Sequence, residues 1–143
     1  MSTLAKDAEI LSELACKLAT FCKSQEDDLA ARFKLAPSEF RFLKLYASMG
    51  AVLTIKDFRK VLDLTPGRMT HIITSLERKK FVKRKSQRAD KRFVSILLTP
   101  KVEPLIATMK KEGSQMYKGL LDKIDASSRE IMVKSLTEVV SKL

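Results

Sequence analysis

Apolar residues recur at helical spacing from about residue 5 to 33. Ala8, Leu11, Ala15, Leu18, Cys22, Leu29 and Phe33 stand three, four or seven positions apart, with no Pro or Gly between them. The pattern predicts an amphipathic helix too long for one small subunit's core to cover. Pro37 suits the first turn of a second helix, with Phe40, Leu43 and Ala47 as its stripe and Gly50 as its C-cap. Thr54 opens a third helix. Asp57 follows three residues later, close to a capping box, and Ile55, Phe58, Val61 and Leu62 supply the buried face. The run Asp63-Leu64-Thr65-Pro66 then breaks the pattern. Thr65 is a good N-cap and Pro66 a good first helical residue. They start a fourth helix reaching about Lys79, with Met69, Ile72, Ile73 and Leu76 inward.

After Phe81 the period changes. Phe81–Lys85 and Phe93–Leu98 are β-prone runs separated by a polar, charged Ser86–Arg92. They predict a two-stranded hairpin with a basic tip. Pro100 starts the next long helix, with Val102, Leu105, Ile106, Met109, Met116, Leu120 and Ile124 at helical spacing and Gly113 weakening its middle. Ser127 and Glu130 form a capping box for a last helix carrying Ile131, Val133, Leu136, Val139 and Val140. The expected fold class is α+β, mainly α. Since a lone hairpin cannot make its own core, it must lean on the helices and project its tip.

The chain has 143 residues, enough for one domain, and is 45% hydrophobic and 31% charged, as expected of a globular chain. No apolar run approaches the roughly 20 residues that span a bilayer. The first residues lack an apolar signal core, so a cytoplasmic address is expected. Cys16 and Cys22 lie six residues apart, about 600° around a helix, and so face different ways as small apolar fillers. One histidine and two separated cysteines supply no metal set, and no cofactor is expected. An assembled nucleophile, base and orienter is equally absent, which argues against an enzyme.

Charge changes the picture most. The net charge of +11 is not spread evenly. Residues 1–53 hold seven basic and seven acidic side chains, residues 54–92 thirteen and four, and residues 93–143 eight and six. Between Arg78 and Arg92 nine of fifteen residues are basic, against Asp90 alone. Cations this dense repel one another unless a polyanion neutralises them, and neutralised phosphates release counterions. Residues 54–80 read as a helix–turn–helix, whose second helix enters a major groove by its N-terminal half. That half turns Thr65, Gly67, Arg68, Thr70, His71, Thr74 and Ser75 outward. Arg68 has the fork geometry for guanine, and His71 can donate to a base or a phosphate.

The stretch Asp90-Lys91-Arg92-Phe93-Val94-Ser95-Ile96-Leu97-Leu98-Thr99 resembles the D-x-R…L-T wing signature of the MarR family of transcription regulators. The preceding Leu53–Val82 is similar to that family's helix–turn–helix, and the element order resembles the family from about Ala5 to Leu143. The resemblance implies one MarR-like domain over residues 1–143. Residues 5–35 and 100–143 would be its dimerisation helices and 36–99 its winged-helix DNA-binding lobe. It implies that Arg92 enters a minor groove and that Asp90 orients the wing. Thr54 would lie near the phosphate backbone, while Arg68, Thr70, His71 and Ser75 lie on the recognition face; Arg84, Arg88 and Lys91 are candidate DNA contacts on the charge of the hairpin itself. It further implies a homodimer on a pseudo-palindromic duplex, repression of transcription, and response to a small lipophilic or phenolic effector. Two alternatives stay open: redox sensing through Cys16 or Cys22, and a non-catalytic protein-interaction module. The family often has Gly where Lys80 and Asp63 stand. Lys80 must then take that conformation at some cost, or the turn differs, while Asp63 tolerates such a turn better than most residues. Arg59 replaces a small residue, so its stem is expected over apolar surface with its charge outside.

Overall fold

A computed structural model describes residues 2–49, 54–87 and 90–143, with the side chains of 86, 87 and 90–94 outside the description. The elements are α1 (Thr3–Arg32), α2 (Pro37–Met49), α3 (Ile55–Val61), α4 (Pro66–Arg78), β1 (Val82–Gln87), β2 (Asp90–Leu98), a 3₁₀ turn at Pro100–Val102, α5 (Glu103–Leu121) and α6 (Ala126–Ser141). Residues 1–110 form one compact unit and residues 111–143 a second.

Three turns in the first unit share one solution. Lys34, Asp63 and Lys80 have φ of 57°, 53° and 62°, the left-handed region. Each closes a helix in the Schellman pattern: Leu35 N–H donates to the Ala30 carbonyl at 2.9 Å, Leu64 to Arg59 at 2.9 Å and Phe81 to Leu76 at 2.9 Å. The expected strain at Asp63 and Lys80 is thus present, and Lys34 adds a third case. Arg59 supports the second turn by donating from Nε to the Leu64 carbonyl at 3.2 Å.

The core lies where α2, α3, α4 and the hairpin meet. Phe42, Leu43, Phe58, Met69, Ile72 and Leu76 are almost wholly buried. Each such side chain contributes about 1.5–3 kcal/mol on leaving water. The Phe42 and Phe58 rings are 4.8 Å apart, and Tyr46 stacks on Phe58 at 5.7 Å. The Tyr46 hydroxyl donates to the Ile96 carbonyl of β2 at 2.7 Å, and burial pushes its pKa up. The sheet is antiparallel, with Val82 opposite Leu98 and Arg84 opposite Ile96, and an irregularity between Ser86 and Gln87. Thr99 fastens its base by donating from Oγ1 to the Lys80 carbonyl at 2.6 Å.

Several expectations need correction. Val61 is 58% exposed and does not join the buried face of α3. Pro100 opens a short 3₁₀ turn, and α5 begins only at Glu103. The last helix is capped by Asp125, whose side chain accepts from Ser128 N–H at 3.2 Å and from Ser127 Oγ at 2.6 Å. These bonds hold the Asp125 pKa down to about 2. Ser127 therefore lies inside α6, and the Ser127–Glu130 box is displaced by a stronger acceptor two residues earlier. Gly113 does not interrupt α5. Gly50, the expected C-cap of α2, lies outside the described residues.

The outer part of α1 is exposed, including Leu11, Leu14 and Leu18, and so is Cys16, which fills no core within the chain. Cys22 is half-buried, its thiol 3.6 Å from Glu26 Oε1. No residue of α6 is buried; Ile131, Val133, Leu136, Val139 and Val140 all face solvent. Among the described residues no helix is long and apolar enough to cross a membrane.

Candidate nucleic-acid interface

The helix–turn–helix begins at Thr54. Its hydroxyl accepts from Asp57 N–H at 3.1 Å while the Asp57 carboxylate accepts from Thr54 N–H at 3.0 Å. This closed capping box holds the Asp57 pKa below the usual carboxylate value, through the Thr54 hydrogen bonds. Thr54 stays exposed at the start of α3. Thr65 caps α4 in the same way, accepting from Arg68 N–H at 3.2 Å, with Pro66 at the first position.

Met69, Ile72, Ile73 and Leu76 anchor α4 in the core, as their spacing predicts. The opposite face carries Thr65, Gly67, Arg68, Thr70, His71 and Thr74, all exposed. The Arg68 and His71 side chains have no hydrogen bond or ion pair among the described residues. Thr70 donates to the Pro66 carbonyl at 3.0 Å. A Cβ at Gly67 would meet nothing within 4 Å, so this glycine leaves an open surface at the helix start.

Ser75 departs from the outward row. It is half-buried and donates to Glu39 Oε2 at 3.2 Å. A buried carboxylate on α2 competes for this hydroxyl, a partner 36 positions away that helical spacing alone cannot reveal. Glu39 is 4% exposed and also accepts from Lys79 Nζ at 2.9 and 3.0 Å and from Ala36 N–H at 2.9 Å. Sequence reasoning missed it. The available signal was its place three residues after Ala36, at the third position of α2, where a glutamate reaches back to the free N–H.

Arg84 also turns inward from the tip. Its Nε lies 2.9 Å from Glu77 Oε1, and Nη2 donates to Thr74 Oγ1 at 2.9 Å. Two-residue alternation explains this, since Arg84 shares a face with buried Val82 and with Ile96 opposite it. Lys83 and Lys85 lie on the other face of β1 and are exposed. A cleft of about 180 Å³ lies between α3, α4 and β1. Ile55, Pro66, Met69 and Ile73 form its apolar side, and Arg59, Thr70 and Arg84 its polar side. Arg59 lines this cleft with its Nε turned to the Leu64 carbonyl. Arg88 lies outside the described residues. Asp90, Lys91 and Arg92 are placed in β2 by their backbone, with their side chains outside the description.

A tri-helical core with its third helix exposed at the N-terminal half, followed by a two-stranded hairpin, is a winged helix–turn–helix. The sequence profile of the MarR family matches residues 27–94. The likeness extends beyond the matched segment. A MarR family protein from Bacillus stearothermophilus superposes with a TM-score of 0.83 at 20% identity, over 99% of this chain and 98% of that one. A MarR transcriptional regulator from Methanosarcina mazei gives 0.78 at 19% identity, over 94% and 96%. MepR of Staphylococcus aureus, in its complex with DNA, gives 0.69 at 26% identity, over 92% and 97%. No curated protein sequence matches the chain.

Proposed function

We propose that this chain is a sequence-specific regulator of transcription that binds double-stranded DNA as a homodimer. The exposed row on α4 carries the reading. Arg68 and His71 are exposed on α4 and have no partner among the described residues, beside a hairpin inside the segment that holds most of the chain's net charge. In this reading α4 enters a major groove, where Arg68 reads guanine and Thr65, Gly67, Thr70 and His71 approach bases or phosphates. The wing follows the adjacent minor groove, with Arg92 inside it and Asp90, Lys91 and Arg88 around it. Thr54 meets the phosphate backbone. The 26%-identical MepR is described bound to DNA, which supports the same use of this lobe.

Two sets of exposed apolar side chains favour pairing of chains: Leu11, Leu14 and Leu18 of α1, and Ile131, Val133, Leu136, Val139 and Val140 of α6. Residues 5–35 and 100–143 then dimerise, and two copies of 36–99 read a pseudo-palindromic site. A small phenolic or lipophilic effector would act by favouring one spacing of the recognition helices over another. The chain would repress by occluding a promoter.

Selection of bound sequences from random duplexes, followed by salt titration on the winner, tests the reading. The expected results are a pseudo-palindromic consensus and an affinity that falls linearly in log salt, with a slope of about −0.9 per phosphate neutralised. No enrichment together with a flat salt response contradicts it and leaves the protein-interaction module. A change in affinity after mild peroxide, lost in the Cys16→Ser/Cys22→Ser double variant, would favour redox control instead.

A further inference from the structure

We infer that Glu39 is a positioning residue for DNA recognition: acting through Lys79 and Ser75, it sets where α4 and the wing stand. The inference rests on the DNA-binding reading above.

Glu39 and Lys79 together tie the start of α2, the end of α4 and the end of α1. Ala36 at the start of α2 donates its N–H, Ser75 and Lys79 at the end of α4 donate their side chains, and Lys79 Nζ also reaches the Lys34 carbonyl at 3.3 Å, where α1 ends. Burying an ion pair costs desolvation, and apolar residues of similar volume often stabilise a fold equally well. Stability alone therefore does not account for a carboxylate at 4% exposure. Direction does. A carboxylate receiving hydrogen bonds from three sides fixes distances and angles that a methyl contact leaves loose.

What lies next to this latch gives the direction its use. The Lys79 carbonyl accepts from Lys101 Nζ at 3.1 Å. Lys80 turns left-handed and its carbonyl accepts from Thr99. Strand β1 starts at Val82. The last turn of α4 is thus the pivot between helix and wing, and Glu39 holds it from the α2 side. Base readout demands placement within roughly 0.5 Å, so a slack pivot removes specific contacts while leaving phosphate attraction intact.

The test compares wild type with Glu39→Leu/Lys79→Met and with Ser75→Ala, on the selected operator and on a scrambled duplex. The double change conserves net charge, so binding to the scrambled duplex and its salt slope should match wild type. The operator-over-scrambled ratio is expected to fall about tenfold, the worth of one misplaced base contact. Ser75→Ala, which leaves the ion pair in place, should lower the ratio about threefold. Amide exchange over residues 76–81 should quicken in the double variant without DNA. A folded double variant with an unchanged ratio overturns the inference, as does Ser75→Ala with an unchanged ratio if the double variant fails to fold. Equal weakening on both duplexes also overturns it, because Lys79 would then be a phosphate contact. A wild type that binds no duplex sinks the DNA-binding reading instead, and unchanged exchange over 76–81 would sink the latch separately.

Discussion

Arg84 of the wing faces Glu77 of the recognition helix, with Nε 2.9 Å from the carboxylate. An internal anion thus occupies a cation that a phosphate could claim. Exposed pairs of this kind are worth only about 0–1 kcal/mol, so freeing Arg84 from Glu77 costs the fold little. Glu77→Gln should tighten binding to any duplex and steepen the log–log salt slope by about 0.9, one further phosphate. Unfolding should scarcely change. An unaltered slope in a salt titration would mean that Arg84 stays a brace between helix and wing.

Arg68 should behave differently. It is exposed on the recognition face and engages nothing among the described residues. Arg68→Ala should cost about 1–3 kcal/mol on the preferred sequence and relax the choice at one base position. Repeating the selection with the variant reads this directly. Equal losses on every sequence would make Arg68 a phosphate contact.

The Tyr46 hydroxyl ties α2 to β2 from within the core. Tyr46→Phe keeps the ring stack and leaves the Ile96 carbonyl without its donor. A loss of about 1–3 kcal/mol is expected in urea unfolding, with the operator ratio little changed as long as the protein is folded. A neutral substitution would show that water reaches the carbonyl.

Lys80 holds φ at 62° where a side chain clashes with its own backbone. Lys80→Gly should stabilise by up to about 1 kcal/mol, and Lys80→Val should destabilise by at least as much, in thermal unfolding. A stabilising valine would exclude the left-handed turn.

Glu26 joins α1 to α2. Lys44 Nζ lies 2.8 Å from Oε1 and Arg41 Nε 3.1 Å from Oε2. Burial by itself would raise its pKa, but Lys44, Cys22 and Arg41 outweigh burial, and the net shift is downward from 4.5. A depressed folded pKa gives stability that is fully present above the unfolded value and is lost as pH falls through the folded one. Wild type should therefore exceed Glu26→Gln in stability at neutral pH, with the gap narrowing only below about pH 4.5. A gap independent of pH would assign the loss to packing rather than charge.

The chain's local patterns were legible because their causes are local. Thr54 with Asp57, Thr65 with Pro66, and the inward set Met69, Ile72, Ile73 and Leu76 each lie within a turn or two of their partners, where spacing alone determines geometry. The left-handed turns at Asp63 and Lys80 were suggested only by the resemblance to a family that often has Gly there, and the backbone decided them. What only the tertiary structure decided are the polar partners brought together from distant segments. Ser75 turns to Glu39, Arg84 to Glu77, and Tyr46 to Ile96, while Val61 swings out of the core. A hydroxyl or guanidinium can satisfy itself in water or in protein. Which one it does depends on acceptors that periodicity cannot place, because they arrive only when the helices pack.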